Sequence, residues 1–156
     1  FLVQIDVGYP DRDAERDILL ATTGAETAEV QPVFDAPSLL AAQRLVRRMP
    51  VGEQVVEMIL DLVRALRPDG PDADATVRGA VTWGPGPRAA QALMLAVRAA
   101  ALLDGRLVPT APDVARMSHA VLIHRMALSY AAQARGETLA GLIGQAVARL
   151  SRTEAA

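Results

Sequence analysis

The sequence predicts a mainly α domain of about six helices with one or two short β-strands. Three observations carry that prediction. Apolar residues recur at helical spacing along most of the 156 residues, and clusters of Gly, Pro and Asp interrupt them at intervals. The chain is also 51% hydrophobic yet holds only two Phe, two Tyr and one Trp, so its core is aliphatic. A chain of this length is expected to form one domain, or one small domain with an appendage, and to bury roughly 70% of its unfolded surface, which is enough without a metal or disulfide.

Phe1, Val3, Ile5 and Val7 alternate with Leu2, Gln4 and Asp6 in a strand pattern that ends at Gly8-Tyr9-Pro10. Met126 to Tyr130 alternates weakly, and the two stretches are expected to pair unless a second copy of the chain serves instead. A helix starts at Asp11 or Asp13 and runs to about Ala21, and Ala25 to Ala36 reads as a loop. From Ser38 the stripe Leu39, Ala42, Val46, Met49 predicts a second helix. The third has Val56, Ile59, Val63 and Leu66 on one side and Glu53, Glu57, Asp61 and Arg64 on the other. Asp69 to Pro87 is a long connection rich in Pro, Gly and Asp. An Ala-rich helix follows from Pro87 to Leu103, with Leu93, Val97, Ala100 and Ala101 inward. Thr110, Pro112 and Asp113 open the next helix as a capping-box variant, with Val114, Met117, Val121 and Leu122 inward. Gly136 turns the chain, and Thr138 caps a last helix striped by Leu139, Ile143, Ala146 and Leu150.

Composition excludes several chemistries. All 16 basic residues are arginine, so the chain supplies neither a P-loop lysine nor a Schiff-base nucleophile. It has no cysteine, and no apolar run approaches membrane-spanning length. The net charge of −2 gives no case for nucleic-acid binding. The chain opens on Phe1 with no signal peptide, and reads as a domain cut from a longer, cytoplasmic protein.

Few residues point to chemistry. His119 and His124 stand five apart, where helical metal pairs prefer four, and no metal site is expected. Asp69, Asp72 and Asp74 share a loop and read as solvated carboxylates, with a weak cation as the alternative. Arg44, Arg47 and Arg48 complement a helix C-terminus. The four serines lack a nucleophile-elbow context. The exception is Trp83-Gly-Pro-Gly-Pro-Arg-Ala89. Its glycines permit close backbone approach, and Arg88 falls in a first helical turn, where a cation is unfavourable unless an anion joins it. A ligand-free turn remains the alternative for this motif.

The order of FLVQIDVGYPDRDAERDIL, GPGPRAAQALMLAVRAAALLDGR and PDVARMSHAVLIHRM resembles the C-terminal part of MoxR-family AAA+ ATPases, from Phe1 to about Leu150. The resemblance implies that residues 1–10 end the nucleotide-binding core and 11–156 form the helical AAA+ lid. The family loop reads Gly-Ala-Ser-Pro-Arg; Gly84, Pro87 and Arg88 match it, whereas Pro85 and Gly86 replace Ala and the capping Ser. It implies that Arg88 is the sensor-2 arginine reaching the ATP phosphates and that Tyr9 and Pro10 lie at the hinge near the adenine. Gly105-Arg106 and His124-Arg125 also match, the latter pair as lid-stabilising residues. ATP and Mg2+ belong to the full-length parent, and none is expected to stay bound to this chain. Expected partners are its own core, neighbouring subunits of a ring (a hexamer by family habit) and von Willebrand factor A domain proteins, with chaperone-like remodelling as the task. The competing reading is a free-standing helical adaptor domain without a nucleotide role.

Overall fold

The computed structural model describes residues 1–25 and 30–153. The stretch at 26–29 of the predicted loop and the last three residues lie outside the described residues. Helices α1 (Arg12–Thr23), α2 (Ala36–Arg48) and α3 (Glu53–Ala65) come first, then a short α4 (Ala75–Ala80) and β1 (Val81–Trp83). There follow α5 (Pro87–Leu103), α6 (Ala111–Leu122), a 3-10 turn at Ile123–Arg125, β2 (Ala127–Leu128), α7 (Tyr130–Ala134) and α8 (Leu139–Thr153). Six of these eight helices have 12 residues or more, and those six are the ones the sequence predicts.

Helix starts follow local chemistry. Asp11, Asp35 and Asp74 each accept a backbone N–H three residues on, at 2.8 Å, and so cap α1, α2 and α4. Thr138 does the same for α8 through the Gly141 N–H at 3.1 Å. Gly105 (φ 75°) closes α5, and the Arg106 N–H reaches back to Ala101 O at 2.8 Å.

The core lies between α3, α5, α6 and α8. Leu62, Leu66, Leu93, Val97, Val114, Val121 and Leu122 lose all solvent contact, each worth about 1.5–3 kcal/mol of hydrophobic burial. The stripes predicted on α5 and α8 are buried or half-buried as expected. On α3 the buried face also takes Val55, Met58 and Leu62. On α2 the expected inward Leu39 is instead 52% exposed, because α2 only abuts α5 from outside.

The region 69–87, at a length where a plain linker is uncommon, contains α4 and β1. The expectation for the first residues is corrected. Phe1 to Val7 forms no strand and does not pair with Met126 to Tyr130. β2 spans only two residues, and its antiparallel ladder goes to β1, with Val81 opposite Leu128 and Trp83 opposite Ala127. Ser129 then caps α7, so Tyr130 is helical.

Candidate functional site

The loop from Trp83 to Arg88 is held from below by the end of α3. Arg67 Nε donates to Pro85 O at 2.9 Å, and Pro85 is fully buried. A Cβ on Gly84 would stand 2.7 Å from Leu66 O and 2.8 Å from Arg67 Cα. The glycine at this position therefore admits the protein's own backbone. Gly86 faces open space, so close approach from outside is free there.

Gly86 is the N-cap of α5 and offers no side-chain cap, as the replaced serine implies. Pro87 has no N–H, and the Ala89 N–H bonds Gly86 O at 2.9 Å. Among the described residues nothing accepts the Arg88 N–H, and no hydrogen bond or ion pair engages the exposed Arg88 guanidinium. The first turn of α5 also has no acidic residue. This end of α5 thus carries a cation and a free donor on top of the helix dipole, and an anion there gains charge-assisted bonds from both. Trp83, on the same loop, is 69% exposed.

An open depression of about 460 Å³ beside the loop is lined by Arg67, Asp69, Thr82 and Trp83, and Arg88 is not among its lining residues. A larger one of about 660 Å³ lies on the flank of α5 against α2 and α3, with Val56, Leu60, Met94 and Leu95 in its walls.

The other residues singled out by sequence do not converge on Arg88. Tyr9 and Pro10 are exposed in the segment before α1, and among the described residues no hydrogen bond links them to the 83–88 loop. Asp72 pairs with Arg64 at 2.6 Å, Asp74 pairs with Arg149 while capping α4, and Asp69 stays in solvent. These three carboxylates are engaged separately and do not gather round a common point. His119 is exposed, while His124 contacts Arg125. Among the described residues no three His, Cys, Asp or Glu side chains group as metal ligands. Arg67, which braces the loop, was not picked out from sequence. Its signal was its place between a buried Leu66 and Pro68 at the end of a strong helix.

A second polar cluster fixes the far end of α5 to α6. Arg106 holds Asp113 with two bonds, at 2.7 and 2.8 Å, and Arg116 adds a third at 3.1 Å. The Thr110 N–H donates to the same carboxylate at 2.8 Å, completing the predicted capping box. Asp104 joins both arginines, at 2.9 and 2.7 Å. The Arg106 bonds hold the Asp113 carboxyl far below the usual carboxylate range, against the opposing effect of its burial.

The family described as AAA lid domain matches residues 73–155. Chaperone MoxR1 of Mycobacterium tuberculosis (strain ATCC 25618 / H37Rv) is 31% identical over 134 residues, covering 86% of this chain and 35% of the relative. The crystal structure of an ATPase candidate from Cytophaga hutchinsonii ATCC 33406 has the same fold, with a TM-score of 0.85 at 22% identity. That match covers 94% of this chain and 45% of the solved one. The chain therefore spans about a third of the curated relative it matches.

Proposed function

Because this chain belongs to the AAA lid domain family and is of the MoxR type, we propose that it is the C-terminal lid of a MoxR-type AAA+ ATPase and that Arg88 is its phosphate sensor. The observation that carries the reading is Arg88 itself, an exposed and unpaired cation beside a free N–H at the uncapped start of α5. An adaptor domain gives no reason for a cation at the wrong end of a helix dipole. A phosphate oxygen does, since the guanidinium and the Arg88 N–H can meet it together.

In this reading residues 1–10 end the nucleotide-binding core and 11–156 are the lid. ATP supplies the phosphates that Arg88 contacts; Mg2+ and the lysine of a P-loop come from upstream residues, because this chain has no lysine. Tyr9 and Pro10 line the hinge, Gly84 and Pro87 set the loop, and the lid passes nucleotide state to neighbouring subunits of a ring, a hexamer in the simplest case. Chaperone-like remodelling with von Willebrand factor A domain partners in the cytoplasm completes the proposal.

The test is a titration of the full-length protein and its Arg88→Ala variant with a non-hydrolysable ATP analogue. Losing a charge-assisted contact weakens binding about tenfold or more. Equal affinity contradicts the assignment.

A further inference from the structure

We propose that Arg125 is a positioning residue, which clamps the segment Phe1–Gln4 onto the end of α6 and so fixes the path by which the chain enters the helical domain. Arg125 ends the 3-10 turn after α6, and its guanidinium faces both ways. Nη1 donates to Val121 O within α6 and to Leu2 O at 3.1 Å, while Nη2 donates to Phe1 O. His124 Nε2 lies 2.6 Å from Nη1; arginine only donates, so the imidazole nitrogen accepts, and with three acceptors on two Nη1 hydrogens one of these bonds is bifurcated. Beside it the Gln4 N–H donates to Ala120 O at 2.8 Å, and Val3 packs half-buried against the core.

Arg125 is a partly desolvated cation with no carboxylate partner among the described residues. Its charge is answered by the Val121 carbonyl at the C-terminus of α6, the favourable end for a cation, and by the Phe1 and Leu2 carbonyls. Three carbonyls in fixed directions suit a planar fork of five donors, and a lysine ammonium cannot reproduce that spread. The clamp is also the main tether of its region. α1 buries no residue, and among the described residues every hydrogen bond from 1–34 to the rest of the chain is made at Phe1, Leu2 and Gln4. In a lid, this fixes the direction of the connection to the upstream unit at α6, and that consequence rests on the proposed function. The clamp itself does not.

Amide hydrogen exchange on this chain, read residue by residue, tests the clamp. The Gln4 amide is expected to exchange at least tenfold more slowly than an unstructured amide. In Arg125→Ala it falls to within about twofold of the unstructured rate, while Leu62 and Leu93 keep their protection. Arg125→Lys keeps the core and retains less than a third of the Gln4 protection. Three results overturn the proposal: an unprotected Gln4 in the native chain, unchanged Gln4 protection in Arg125→Lys or Arg125→Ala, or loss at Gln4 only in step with Leu62 and Leu93. Nucleotide titration of Arg88→Ala reports on the lid reading and Gln4 exchange on the clamp, so either can fail alone.

Discussion

Asp113 is 3% exposed, yet it accepts from Arg106, Arg116 and Thr110. Its folded pKa lies below its unfolded value of about 3.9, so the stability it adds is fully present above that value. That stability is lost as pH falls through the folded value. Asp113→Asn is expected to destabilise the domain by about 2–3 kcal/mol at neutral pH, because charged hydrogen bonds are lost from a buried site. The deficit shrinks in denaturation at pH 3 and below, because there the unfolded carboxylate takes up a proton while the native one, held by Arg106, still resists it. A deficit that stays constant with pH contradicts this account. Gly84 acts through space alone. Its pro-chiral hydrogen faces backbone atoms of Leu66 and Arg67 that cannot rotate away. Gly84→Ala should cost about 1–3 kcal/mol as overpacking and move the 83–88 loop, seen as a lower melting temperature with shifted Trp83 fluorescence. An unchanged melting temperature would show that the end of α3 yields freely.

At the scale of elements, α5 is the beam that joins the two polar ends. Arg88 starts it, Asp104 ends it, and Leu93 and Val97 are fully buried between. Leu93→Ala is expected to cost about 2–5 kcal/mol in denaturant unfolding, and a cost under 1 kcal/mol would mean that α3 and α6 close over the gap. The start and inward face of α5 were legible in the sequence because Gly, Pro and an aliphatic stripe of period 3.6 all agree there. Thr110 to Asp113 was legible for the same reason, as a capping box is a local device. β1 was not. A three-residue strand has no measurable alternation, and its partner β2 lies far along the chain. Phe1 to Val7 misled in the opposite direction, since alternation shows which face a strand would bury but not whether a free edge awaits it. Here β2 is two residues long, and its ladder goes to β1. Of the candidate site, Arg88, Gly84 and Pro87 were legible as one motif. Arg67 and the Arg125 clamp depend on contacts 18 and 123 residues apart, which no local pattern encodes.

At the scale of the molecule, the bundle of α3, α5, α6 and α8 is closed, while α1 and α2 bury no residue and leave Ile18, Leu19, Leu20 and Leu40 more than half exposed. Such faces are unusual on a self-sufficient domain. In the proposed lid, catalysis depends on Arg88 reaching a nucleotide held elsewhere, with the rest of the bundle serving to aim α5. The most direct measurement is kcat for ATP hydrolysis by the full-length protein at saturating ATP, comparing Arg88→Ala with Arg152→Ala, a change at another exposed arginine, on α8. Removing one preorganised donor from a transition-state phosphate costs about 10²–10³-fold, so Arg88→Ala should lose that much while Arg152→Ala keeps the native rate. Native turnover in Arg88→Ala, or equal loss in both variants, would contradict the sensor role.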